Sequence, residues 1–333
     1  EPEVLKMDRP IVNAFLEKEK GLAVYRHELD DILRLKGHIG TEGEEAIVAQ
    51  AGLMASGPGS VYEVLADADF PFPSVTLADG KTVKLDQAGF SLLRASANRE
   101  DRKLVFRTFF SKLDEFRRTF GAMLNAEVRS HLFYARARKY PTTLESALDA
   151  NNIPTAVYHA LVDSVNRSLP TFHRYLALRK RILAVPELHY YDLYAPLVKD
   201  LDVTYSIDEA QRHVIDSLGP LGPEYATTVR KAFDDRWLDF YPTEGKRSGA
   251  YSNGSAYDVH PYMLLNYNGK YDDVSTLAHE LGHTMQSYLS NKAQPYPTSH
   301  YPIFVAEVAS TFNEALLIQH MLGRLTDAPS RPS

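Results

Sequence analysis

The chain has 333 residues, of which 44% are hydrophobic and 24% charged, with a formal net charge of −6 and no cysteine. That length allows one large domain or two interlocked ones, with ample core, while the missing cysteines exclude disulfides, thiolate metal sites and a cysteine nucleophile. Negative charge spread along the whole chain argues against nucleic acid as a partner, and no apolar run reaches the length of a membrane span. The most basic stretch, Arg174 to Arg181, reads as the solvated side of a helix. Glu1-Pro2-Glu3 carries neither an initiator methionine nor a leader pattern and is read as an internal cut in a longer chain. A cysteine-free chain of this kind is compatible with the cytoplasm, which is the location expected.

Long amphipathic helices are predicted over most of the first 190 residues. Ile11 to Lys36 places aliphatic residues at helical spacing against charges on the other face. A shorter helix follows over Glu42 to Met54, ended by the Gly57-Pro58-Gly59 turn. The period then changes: Val75–Leu77 and Thr82–Leu85 flank Asp79-Gly80, a hairpin signal. Helices are expected again over Arg99–Leu124, Ala126–Lys139, from Thr143, and over Thr155–Ile182 after Pro154. Residues 185–205 read as a connection between layers, followed by helices over Ile207–Leu218 and Pro223–Phe233. Gly249–Ser252 and Met263–Tyr267 are short β-compatible runs within a Gly-, Pro- and Tyr-rich stretch. Two helices close the pattern, Asp272–Asn291 and Pro302–Leu322, and the polar tail Thr326–Ser333 is expected to fray. The reading divides the chain into an N-terminal helical domain over 1–150, with a hairpin near 74–85, and a second domain over 151–333.

His279-Glu280-Leu281-Gly282-His283 carries the chemistry. On a helix, positions i and i+4 lie one above the other, so two imidazoles can aim one nitrogen each at a shared point about 2.0–2.1 Å away, the zinc–nitrogen distance. Glu280 is rotated by roughly 100° from His279, out of the metal's ligand set and beside a metal-bound water, where a general base is needed. The bland alternative is a surface helix with two solvated histidines. The apolar and small flanks, Thr276-Leu277-Ala278 and Thr284-Met285, argue instead for a buried helix whose polar groups need partners. Asp272 and Asp273 are placed to cap its start.

A catalytic zinc takes three protein ligands and keeps a fourth position open. The candidate third ligand is Glu307, 24 residues beyond His283, on a helix that returns antiparallel after the Pro-rich loop 295–302. Glu314 lies two turns further along the same face and is a candidate acceptor for a ligand histidine N–H, with a structural ion pair as the alternative. Gly282 breaks helix propensity by about 1 kcal/mol, a departure expected where another helix or a substrate comes close. Tyr251, Tyr257, His260, Tyr262 and Tyr267 are candidates for an oxyanion donor or substrate contact, each weighed against an ordinary packing role. The Gly249–Ser252 run is a candidate strand edge for an extended peptide.

Lys246–Tyr251, His260-Pro261-Tyr262, Asn266-Tyr267, Thr276–His283 and Phe304–Glu314 together resemble the oligoendopeptidase F family, within the thimet-oligopeptidase-like zinc metallopeptidases. The Gly at the fourth motif position and the Ala306–Thr311 stretch are the most specific parts. The resemblance is dense over residues 185–322 and weaker upstream. It implies a mostly α, multi-helix, two-lobed body with a small β-hairpin and short strands near the active site. A deep channel would admit short unstructured peptides. It also implies one Zn2+ per chain on His279, His283 and Glu307, with Glu280 as base of an endopeptidase that cuts internal bonds of oligopeptides. The resemblance also implies a further helical segment with Tyr and His residues, which this chain is expected to lack. The chain is therefore expected to bind zinc yet cleave peptides poorly. Rival readings are a catalytically impaired zinc- or peptide-binding fragment and a helical zinc carboxypeptidase.

Overall fold

The structure, a computed structural model, describes residues 2–197, 203–243 and 245–324, and these are mostly helical. They pack as two compact units, one of residues 2–6 with 32–197, the other of residues 7–31 with 203–243 and 245–324. The expected tail Thr326–Ser333 lies outside the described residues.

In the first unit the predicted hairpin forms from β1 (Ser74–Thr76) and β2 (Thr82–Lys84), antiparallel with Val75 opposite Val83. Gly80, at φ +84°, supplies the left-handed turn residue that the Asp-Gly pair promised. Val75 and Leu85 are buried against Val105 and Phe109 of the helix Arg99–Glu115. That helix starts on Asn98, whose side chain accepts from the Glu100 and Asp101 amides.

The expected division at 150–151 falls inside this first unit. The helix Thr155–Ile182 carries the buried Arg179, whose guanidinium donates to the carbonyls of Asp192 and Ala195. Asp192, fully buried, in turn accepts from Arg99 at 3.0 and 2.9 Å and from Arg102 at 3.0 Å. Buried charges must be paired, and this pairing joins the long helix to the 187–195 segment and to Arg99–Glu115.

Several boundaries move for local reasons. The long helix expected over 11–36 is interrupted, as Arg9–Lys18 ends on the extended Glu19 and a 3-10 stretch over Lys20–Tyr25 contains Gly21. The Gly57-Pro58-Gly59 segment opens a helix, Gly57–Glu63, with proline in its first turn, rather than closing a turn. The break between the next two helices falls at Phe116, not near 125.

The second unit holds the larger core. A three-stranded sheet has the order β3 (Leu238–Asp239), β5 (Tyr262–Leu264), β4 (Tyr251–Asn253), with β3 parallel and β4 antiparallel to β5. β3 was not foreseen, since two residues are too few for an alternating pattern. The sheet and the helices Ile207–Ser217 and Pro223–Asp234 surround the helix Tyr271–Ala293, hereafter the motif helix. Val274, Leu277, Ala278, Leu281 and Met285 recur at helical spacing and are completely buried. Burying each leucine contributes about 1.5–3 kcal/mol. Among the described residues no helix is long and apolar enough to cross a membrane.

Candidate metal centre

The motif helix begins as the sequence suggests, with one refinement. Asp273, and not Asp272, accepts from the amides of Lys270 at 2.8 Å and Asn268 at 3.1 Å. At its other end Tyr257 Oη donates to the Gln294 carbonyl at 2.6 Å, so this tyrosine anchors a loop. Between Pro295 and Tyr301 the chain turns back through a short helix, Tyr296–Ser299. Ser290 donates to the Ser299 carbonyl at 2.6 Å and Ser287 meets the Tyr301 hydroxyl at 2.5 Å. These bonds fix where the return helix, Ile303–Arg324, begins.

The two helices come together at Gly282. A Cβ at that position would stand 2.5 Å from Ser310 Cα and 2.7 Å from the Ala309 carbonyl oxygen. Only a residue without a side chain permits that approach, as expected from the sequence. Asn313, buried, adds a cross-link by donating to the Ala278 carbonyl at 3.2 Å.

The approach brings His279, His283 and Glu307 into one cluster, with one ligand atom from each lying within 4.8 Å of the others. His279 Nε2 and His283 Nε2 are 3.1 Å apart, and Glu307 Oε2 lies 3.4 Å from the first and 3.7 Å from the second. Three ligands placed tetrahedrally at zinc distances would be separated by about 3.4 Å. The donor set of two imidazoles and one carboxylate also suits zinc. His279 Nδ1 meets Glu314 Oε1 at 2.5 Å, which assigns the Nδ1 proton and leaves the Nε2 lone pair facing the cluster. Burial lowers the His283 pKa, as does the neighbouring His279, against the opposing pull of Glu307, favouring the neutral ring a metal ligand requires.

Glu280 leaves this face, as its helical position dictates. It is buried and its Oε2 has no hydrogen-bond partner. Burial raises its pKa; His279 pulls it down, Glu307 pushes it up, and the nearby Ser252 amide pulls it down.

That amide comes from β4. Met263 of β5 donates to the Trp237 carbonyl, so Tyr262 and Leu264 face β4, and the polar groups of Ser252 point to the far side. β4 is an edge strand, and its Ser252 side chain and the following Gly254 are held on the motif helix. Ser252 Oγ lies 2.7 Å from Thr284 Oγ1, Asn291 donates to the Gly254 carbonyl at 3.3 Å, and a Cβ on Gly254 would collide with Ser287 at 2.2 Å. Thr284, Ser287 and Asn291 thus form a polar stripe that docks the strand, in line with Glu280 and one step around the helix from the histidines.

The other aromatic candidates take structural contacts. Tyr267 Oη donates to the Tyr205 carbonyl at 2.9 Å, and burial pushes its pKa up. His260 stacks on Trp237 at 4.6 Å between ring centres, and its Nδ1 is 2.8 Å from the Pro261 carbonyl. Tyr251 and Tyr262 are exposed. Among the described residues no hydrogen bond or ring contact joins Tyr251, His260 or Tyr262 to the three clustered ligands. The residues that sequence reasoning missed are Ser310, Asn313, Ser252 and Thr284. Only the hydroxyls one turn from Glu307 and Glu280 on their own helices were visible as signals.

Two family models match the chain: Peptidase family M3 over residues 92–329, and Oligopeptidase F over residues 3–72. Oligopeptidase PepF of Bacillus subtilis is 40% identical over 330 residues, covering 99% of this chain and 49% of that protein. Group B oligopeptidase PepB of Streptococcus agalactiae is 38% identical over 331 residues, covering 99% of this chain and 55% of that protein. The crystal structure of oligoendopeptidase-F from Enterococcus faecium superposes with a TM-score of 0.68 at 30% identity, over 99% of this chain and 52% of that one. The chain spans about half the length of the curated relatives it matches.

Proposed function

Because the chain belongs to peptidase family M3, we propose that His279, His283 and Glu307 hold one zinc ion in a metalloendopeptidase acting on internal bonds of short unstructured peptides. Glu280 is its general base. The observation that carries this reading is the convergence of three donor atoms at 3.1–3.7 Å beside Glu280, which has a buried carboxylate oxygen without a partner.

Zinc at this position would lower the pKa of a bound water towards about 7 and polarise a peptide carbonyl. Glu280 takes the proton of the attacking water and passes it to the leaving amine. Its burial favours this role, because a raised pKa brings the carboxylate closer to the groups it exchanges protons with. Glu314 holds His279 in the tautomer that offers Nε2. The outward edge of β4 is the proposed support for an extended peptide, with the bond between Ser252 and Thr284 holding the strand on the motif helix. Tyr251 and Tyr262 remain our candidates for substrate contact from the exposed sides of these strands, whereas His260 is spoken for by Trp237.

The test measures zinc by elemental analysis and turnover of a quenched fluorescent peptide, for the wild-type chain, the chelator-treated chain and Glu280→Gln. Stoichiometric zinc in both proteins, with internal cleavage lost in Glu280→Gln and after chelation, is the expected result. Absence of zinc from the wild type, or turnover that survives Glu280→Gln, would overturn the reading. Product masses separate internal cuts from trimming at a free C-terminus.

A further inference from the structure

We propose that Ser310 is the positioning residue that aims the Glu307 carboxylate at the two histidines. This rests on the metal reading given above. Ser310 Oγ lies 2.9 Å from Glu307 Oε2, the same oxygen that faces both imidazole nitrogens. It also lies 3.1 Å from the Glu307 backbone carbonyl, and a serine hydroxyl has only one proton to give.

Which acceptor receives it is settled by the neighbour. Thr311 Oγ1 donates to the Glu307 carbonyl at 2.5 Å, so that carbonyl has its side-chain donor, and back-bonding of this kind is ordinary in helices. The carboxylate oxygen has no comparable alternative donor among the described residues. Ser310 is also completely buried, so water does not compete for its proton. A carboxylate oxygen has two lone pairs; with one taken by Ser310, the other is presented to the histidines.

The backbone of Ser310 is fixed independently of its side chain. Its Cα rests over Gly282, where a Cβ would stand 2.5 Å from it. The same turn therefore carries both the helix contact and the donor that orients Glu307. Without the hydroxyl, Glu307, whose side chain is 46% exposed, would sample rotamers that point to solvent.

The test is zinc affinity, measured on chelator-stripped protein by competition with a chromogenic chelator, alongside near-UV circular dichroism of the metal-free proteins. Ser310→Ala is expected to keep the wild-type spectrum and bind zinc about 10–100-fold more weakly, the range for outer partners of metal ligands. Thr311→Val, which removes a hydroxyl from the same carbonyl without touching the carboxylate, is expected to bind as wild type does. In a Glu307→Ala background Ser310→Ala should cost nothing further, because the two residues act as one unit. Wild-type affinity in Ser310→Ala, an equal loss in Thr311→Val, or an undiminished loss in the Glu307→Ala background would overturn the assignment. Should Ser310→Ala not fold, Ser310→Thr keeps the hydroxyl: wild-type affinity supports the proposal, and a loss as large as that of Glu307→Ala overturns it. A wild-type chain that binds no zinc would instead sink the metal reading itself.

Discussion

Gly282 and Ser310 meet across the two helices that carry His279, His283 and Glu307: a Cβ on the first would stand 2.5 Å from the Cα of the second. The three side chains cluster because this contact is possible. Gly282→Ala should gain about 1 kcal/mol of helix propensity and lose more than that to overpacking, which costs about 1–3 kcal/mol where nothing can yield. Separation of the helices would also pull Glu307 away from the imidazoles. The expected outcome is a lower melting temperature with zinc affinity reduced by at least tenfold (a loss of about 1.4 kcal/mol). Wild-type zinc affinity in Gly282→Ala would show that the helix spacing does not set the site.

Glu314→Gln keeps the size of the side chain but weakens its hold on His279 Nδ1. Zinc affinity is expected to fall about 10–100-fold, with little change in the melting temperature of the metal-free protein. Calorimetric zinc titration of the stripped protein checks this, and unchanged affinity would reduce Glu314 to an ion pair without influence on the metal.

Thr284→Val removes the partner of Ser252 Oγ and loosens β4 on the motif helix. Leaving a partly buried hydroxyl unpaired costs about 1–3 kcal/mol. If β4 supports the peptide, KM should rise while zinc content stays at wild-type level. A change in zinc content with constant KM would contradict that role.

Asp192 gives the first unit an acid limit. Burial pushes its pKa up, but hydrogen bonds from Arg99, the His189 amide and Arg102 outweigh it and hold the group at about 2, against 3.8 when free. A group depressed in the folded state contributes stability above its free pKa and loses it as pH falls through the folded one. The contribution of about 2 kcal/mol should therefore be complete above pH 4 and vanish towards pH 2. Urea midpoints of the wild type followed by circular dichroism should drop across that window. Asp192→Asn should be less stable at pH 7 by about 3–5 kcal/mol, since it strands buried arginines, with a flatter acid profile. An equally steep profile in Asp192→Asn would assign the acid limit to another group.

Much of the candidate site was legible because it depends on local periodicity. The i, i+4 spacing of His279 and His283, the off-face position of Glu280 and the two-turn spacing of Glu307 and Glu314 all follow from helix geometry, and the structure keeps each of them. Gly282 was readable as a close approach because a glycine inside a buried helix needs a reason. The strands were harder. β4 and β5 have three residues each and β3 two, too short for an alternating pattern to stand out.

Sequence alone determined which residue types could ligate a metal and on which helical faces they stand, since those are fixed within about two turns of chain. It could not determine what lies opposite each face. That Ser310 reaches the Glu307 carboxylate, that Ser252 and Thr284 seat an edge strand beside Glu280, and that His260 is stacked on Trp237 were decided by the tertiary structure. Those contacts depend on the angle and depth at which separate elements pack. Gly282, Asn313 and the serine-stapled turn at 290–301 set that packing only once the chain is folded.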